Sequence, residues 1–158
     1  MRAAPWPTLR RLGLLVVLAT AGCAKTPPSV TEVEGVLLLD KKPLPNAQIE
    51  FVPELKDFGA EMNSLAVTDD KGFFRLTCHY KSQAGAVVGT HRVVVSEAPT
   101  PAEMRGMDGA SQAKYAEYRA RLKNRPIPDV YSTAGRTPLR VEVKPDQKTY
   151  EIELSRNP

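Results

Sequence analysis

Short runs in which apolar residues recur at every second position dominate this chain, and they leave it few folds to choose from. "AQIEFV" (Ala47–Val52) sets Ala47, Ile49 and Phe51 on one face and Gln48 and Glu50 on the other. "LRVEV" (Leu139–Val143) repeats this with Leu139, Val141 and Val143, and "TYEIEL" (Thr149–Leu154) with Tyr150, Ile152 and Leu154. Successive side chains of a strand point to opposite faces, so each run is a half-buried strand. Val33–Asp40, Ser64–Thr68, Phe73–Tyr80 and Thr90–Ser96 add four more. Seven short strands separated by turn signals predict an all-β sandwich rather than a parallel sheet. The last two runs, joined by "KPDQK", read as a hairpin in which Arg140 and Lys144 face Glu151 and Glu153.

One segment, about 100–124, breaks the alternation. Thr100, Pro101 and Glu103 have capping-box spacing with proline at the first helical position. Gly106 and Gly109 are expected to interrupt the helix, and Ala110 to Lys123 to resume it, with Tyr115, Tyr118 and Leu122 on one face. This predicts a helical insertion packed on the sandwich.

The N-terminus obeys different rules. Arg2, Arg10 and Arg11 precede an apolar run from Leu12 to Ala19, then small residues lead to Cys23. That order is a secretory signal, and the apolar run is too short for a comfortable permanent membrane span. "ATAGC" resembles the bacterial lipobox, in which the cysteine is lipidated and becomes the mature N-terminus. Thr20 stands where that pattern usually has leucine, and a plain signal-peptidase cut nearby is the other reading. The expected organisation is a signal peptide over 1–22, a lipidated Cys23 with a Pro-containing spacer over 23–30, and one domain over 31–158. Residues 1–22 hold three arginines and no acid, so without them the net charge falls from +4 to +1. The basic balance therefore gives no reason to expect nucleic acid. With Cys23 carrying lipid, Cys78 has no disulfide partner.

Four segments in order carry a family resemblance: "VEGVLLLDKKPLPNAQIEFVP", "AVTDDKGFFRL", "GTHRVVV" and "IPDVY…TPLRVEV". Together, over about Val33 to Leu154, they resemble bacterial lipoproteins with a carboxypeptidase regulatory-like domain, within the transthyretin-like group. The resemblance implies a seven-stranded Greek-key transthyretin-like (prealbumin-like) sandwich, anchored by lipid. It implies no substrate. The family pattern has glycine where Lys41 and Asn46 stand. Asparagine tolerates the left-handed backbone needed there, whereas Lys41 predicts a slightly different first turn.

Each reactive pattern has a plainer reading beside it. Asp69 and Asp70 in "TDDKG" offer two carboxylates before Lys71, fewer oxygens than a calcium loop needs, so they read as a turn and only weakly as a metal site. Cys78 and His79 fall on opposite strand faces, which makes Cys78 a buried thiol rather than a nucleophile. His91 shares a face with Val93 and Val95 and is expected at the core's edge. Transthyretin-like hydrolases of the urate pathway end in "YRGS"; this chain ends "ELSRNP". Intradiol dioxygenases hold ferric iron with two tyrosines and two histidines. That alternative would require both His79 and His91 to converge with two of Tyr80, Tyr115, Tyr118, Tyr131 and Tyr150. Lys114, Arg119, Arg121, Lys123 and Arg125 make the insertion basic, with Glu117 and Arg121 at i,i+4 spacing. With Tyr115 and Tyr118 they form a candidate surface for anionic headgroups, an acidic glycan or a protein partner.

The expectation is a non-catalytic, cofactor-free module, lipid-anchored on the extracytoplasmic side, that binds or organises an envelope glycan or protein. The alternative is a metal-dependent enzyme of the intradiol-dioxygenase kind. Ala24 follows the cysteine, and where the aspartate-retention rule operates this permits export to an outer membrane.

Overall fold

A computed structural model describes residues 26–158. The expected signal peptide, Cys23 and the start of the spacer lie outside the described residues. Twelve short strands, one α-helix and four 3-10 turns follow. The strands are β1 (Val30–Thr31), β2 (Glu34–Leu39), β3 (Lys42–Pro43), β4 (Ala47–Pro53), β5 (Ser64–Val67) and β6 (Phe73–Arg75). They continue as β7 (Thr77–Cys78), β8 (Gln83–Ala84), β9 (Ala86–Val87), β10 (Gly89–Glu97), β11 (Arg140–Val143) and β12 (Thr149–Leu154), with the helix α1 (Gly109–Arg121) between β10 and β11.

Two sheets enclose the main core, and Met62, Cys78 and Val87 form a second, smaller buried cluster. The larger sheet runs β11-β10-β4-β5-β7-β8; the smaller runs β12-β2-β3, with β6 also on β2. A two-stranded ribbon of β1 and β9 lies beside them. Alternation identified the buried faces correctly: Ala47, Ile49 and Phe51, and Tyr150, Ile152 and Leu154, all enter the core. Leu37 and Leu39 of β2 meet them there with Val93 and Val95 of β10. Phe51 from the larger sheet and Phe74 from the smaller stack tilted at 53°, with ring centroids 6.3 Å apart, a favoured aromatic geometry.

The expected hairpin between the last two runs does not form. β11 pairs antiparallel with β10, whereas β12 pairs parallel with β2, in register from Thr149 opposite Glu34 to Leu154 opposite Leu39. The "KPDQK" link crosses from one sheet to the other. The hydroxyl of Tyr150 steadies the crossing by accepting the Lys144 amide at 3.0 Å. Arg140 accordingly pairs with Glu54 at 3.2 Å, and Glu151 and Glu153 face solvent. The physical reason is that alternation reveals which face of a strand is apolar. It carries no information about which neighbour completes the backbone ladder, and both strands serve the same core from opposite sides.

The run Phe73–Tyr80 also splits. Its first part lies on β2 and its second on β5, with the change at Leu76, whose amide reaches Val33 O at 2.9 Å while its carbonyl accepts from Gly85. Asp40 (φ 50°) and Lys41 (φ 62°) both take left-handed backbone in a two-residue turn between β2 and β3. Lys41 therefore occupies left-handed backbone of the kind a glycine takes readily. Asn46 (φ 51°) is left-handed, as its residue type allows.

β2 and β12 approach too closely at Gly35 for any side chain. A Cβ there would lie 1.9 Å from the Tyr150 carbonyl oxygen and 3.0 Å from the Phe74 ring. Gly35→Ala is therefore expected to destabilise the domain by about 1–3 kcal/mol or to displace β12, read as a lowered urea midpoint.

Candidate functional site

The turn "TDDKG" is built by Asp69. Its Oδ1 accepts the amides of Lys71 at 2.8 Å and Phe73 at 2.9 Å, and its own amide reaches Phe73 O at 2.9 Å. Gly72 sits at φ 74°, and its carbonyl accepts the Leu37 amide of β2 at 2.8 Å. The turn thus fastens an arch between the two sheets. Asp70 takes no part in this and faces the neighbouring β2–β3 turn. Among the described residues no three His, Cys, Asp or Glu side chains come together as a metal-binding group.

The helical insertion is real but starts elsewhere. Ala102–Met104 forms only a 3-10 turn without a side-chain cap, so the spacing of Thr100 and Glu103 does not make a capping box. The helix proper runs Gly109–Arg121 and is capped by Asp108, whose carboxylate accepts Ser111 N at 2.9 Å and Ser111 Oγ at 2.7 Å. Those two bonds hold the Asp108 carboxyl below its ordinary range. Gly109 begins the helix rather than interrupting it, because a serviceable aspartate cap precedes it.

No residue of α1 is fully buried. Tyr115 and Tyr118 are half-buried, and with Leu122 and Arg119 they close a cavity of about 70 Å³ against Glu97, Ala98 and Thr100. The tyrosines therefore face the body of the domain. Arg121 pairs with Glu117 as its spacing foretold, and Lys123 is exposed just beyond the helix.

Arg125 has a different place. Its guanidinium grips both oxygens of Glu97 at 2.8 and 2.9 Å and donates to the carbonyls of Pro45, Asn46 and Lys123. Only 14% of its side chain is exposed, so this cation is a structural clasp and not a free surface charge. Beside it Asn124 (φ 57°) donates to Leu39 O, Lys42 O and Pro43 O, and its Oδ1 accepts from Arg156. Arg156 in turn pairs with Asp40 through side chain and amide, which holds the Asp40 carboxyl below its usual value. Three distant segments are joined here: the β2–β3 turn, the exit of the insertion and the C-terminal tail. Neither Asn124 nor Arg156 stands out in the sequence, since "KNRP" and "SRNP" look like ordinary polar links.

The reactive residues stay apart. His79 is exposed, whereas His91 is wholly buried against the Phe51 ring at 5.6 Å and not at the core's edge. Its Nε2 lies 2.7 Å from Val87 O, while Nδ1 is buried without a hydrogen-bond partner. Tyr131 OH bridges the carbonyl and amide of Ser155, and Tyr150 OH serves Lys144. Cys78 is a buried free thiol against Met62 and Val87.

No protein-family model, curated protein or solved structure matches this chain.

Two measurements check these assignments. Arg125→Lys keeps the charge but not the fork, so it is expected to lower unfolding stability by about 1–3 kcal/mol, whereas Arg119→Ala should change it by less than about 0.5 kcal/mol. Burial pushes the His91 pKa below 6.5, against the Val87 and Phe51 backbone groups, which raise it. The unfolded chain therefore takes up a proton near pH 6.5 that the folded one refuses. Stability is full above that pH and declines as pH falls from it to the depressed folded value. The carboxylates of Asp40 and Glu54, held below the ordinary carboxylate range by their arginine partners, act in a separate and more acidic window. In urea unfolding at pH 7.5, 6.0 and 5.0, His91→Gln is expected to remove the decline between 7.5 and 5.0.

Proposed function

We propose that this chain is a lipid-anchored extracytoplasmic β-sandwich module that binds or organises a glycan or protein of the cell envelope and performs no catalysis itself. The observation that carries this reading is the order of the first segment: arginines, a short apolar run, small residues, then Cys23. Diacyl anchoring supplies roughly 0.8 kcal/mol per buried methylene, so two chains hold a protein firmly without help from a domain whose net charge is only +1. The first strand begins at Val30, so Cys23 would tether the domain within roughly 25 Å of the bilayer surface at full extension.

The finer fold reading belongs here too. We infer a seven-stranded Greek-key sandwich of the transthyretin-like, carboxypeptidase regulatory-like kind, with β2, β4, β5, the bent β6–β7 run, β10, β11 and β12 as its principal strands. Pairing of β12 with β2 and of β10 with β4, each far from sequence order, supports it. Display would be the mechanism: a rigid two-sheet body near a membrane presents the exposed face of α1, with Arg119, Arg121 and Lys123, and the adjoining loops.

Expression of the full chain with radiolabelled palmitate tests the anchor. Label is expected on the wild type and not on Cys23→Ala, which should leave the membrane fraction. Label retained by Cys23→Ala would refute the reading.

A further inference from the structure

Most charged groups that line hollows on this molecule already have partners. In the cleft of about 250 Å³ beside β1, Lys148 pairs with Glu32 and Glu34, and Arg75 pairs with Glu34. In the hollow of about 560 Å³ at the end of β4, Arg92 is committed to Glu54 and to Ala134 O, which leaves Lys56 as a single cation on that lining. The gap under Tyr115 and Tyr118, at about 70 Å³, lies far below the roughly 300–1,000 Å³ of usual ligand sites.

One cleft differs. Lys42, Pro43, Pro45, Asp70, Lys123 and Asn124 line about 470 Å³ between the β2–β3 turn, the Asp69 turn and the exit of the insertion. Among the described residues no carboxylate forms an ion pair with Lys42 or Lys123, and Asp70 makes no ion pair or hydrogen bond. Lys42 lies near enough to Asp40 to help lower its pKa, but Asp40 is held by Arg156. The walls are rigid: two proline rings, and an Asn124 fixed by three backbone carbonyls and Arg156. Such a site binds without first having to order itself.

We propose that this cleft binds a carboxylated sugar unit of a glycan. Two ammonium groups and one carboxylate give the lining a formal charge of +1, which one sugar carboxylate neutralises. Asp70 then accepts hydrogen bonds from the ring hydroxyls, and the proline rings offer apolar surface to the C–H face of the sugar. A phosphate dianion would set its second charge against Asp70. An acidic peptide would bring repeated carboxylates but no hydroxyls for Asp70 to receive. The inference rests on the envelope-binding reading for where such a glycan is met, but its test does not involve the tether, so either can fail alone.

The test is calorimetric titration of the detergent-solubilised full chain at low ionic strength with trigalacturonate, its neutral methyl ester, triglutamate and inorganic phosphate. Trigalacturonate is expected to bind saturably, with affinity falling as salt rises. The ester, and the acid with the Lys42→Gln/Lys123→Gln double variant, should each bind at least about tenfold more weakly, while Lys144→Gln has no effect. Asp70→Asn, which leaves both lysines and the turn-forming Asp69 in place and raises the lining from +1 to +2, should strengthen phosphate more than trigalacturonate and so narrow the preference for the saccharide. Equal binding of ester and acid, triglutamate or phosphate binding as tightly as the saccharide, unchanged affinity in the double variant, or no saccharide binding at all would overturn the proposal.

Discussion

The amide of Leu37 is held by the carbonyl of Gly72, and the carbonyl of Leu37 by the amide of Leu44, so the middle of β2 is gripped where two separate loops meet. On that edge β6 takes the first half of β2 and β3 the second, while β12 covers the opposite edge. Among the described residues no other strand gathers partners from both the early strands and the last strand of the domain, β12, in this way. Parallel pairing is slightly weaker per residue than antiparallel, and it requires a long connection to be closed first. Here nearly the whole domain lies between the two paired strands. The fold therefore depends on the close approach of backbones at Gly35 and on the apolar residues that β2 and β12 deliver to the same core.

Polar groups do the work at the margins. Asp69 organises an arch, Asp108 starts a helix, and Arg125, Asn124 and Arg156 lock the insertion to the β2–β3 turn. Exposed ion pairs such as Arg121 with Glu117 add little. The partly buried Arg125 guanidinium matters more, because removing it would take the partner from the Glu97 carboxylate and from the Pro45 carbonyl. Once these groups are satisfied, the cleft at Lys42 and Lys123 stands out as a place where charge meets concave, rigid surface without an internal counterpart.

Much of the β architecture is legible in the sequence. Period-two spacing identified the inward faces of β4 and β12 and the buried position of Cys78, because burial of apolar side chains is a local, one-dimensional signal. Strand partners were not legible. The short link "KPDQK" between two alternating runs suggested a hairpin, yet it crosses between sheets, and nothing in residue type distinguishes those outcomes. The clasp was invisible for a related reason: Asp40, Asn124 and Arg156 are up to 116 positions apart and become neighbours only through the fold. Lys41 shows the opposite limit, since tertiary context forces a left-handed backbone on a residue that disfavours it. As for the candidate surface, its residue types were apparent, but the inward turn of Tyr115 and Tyr118 and the commitment of Arg125 to Glu97 were not.

Cross-strand nuclear Overhauser effects in the isotopically labelled protein give the most direct check on the central claim, that β2 and β12 close the domain as parallel neighbours. Parallel closure places backbone protons of Tyr150 and Ile152 next to those of Gly35 and Leu37, and those cross-peaks are the expected result. Strong backbone cross-peaks linking β12 to β11 in an antiparallel ladder, with none to β2, would contradict the account.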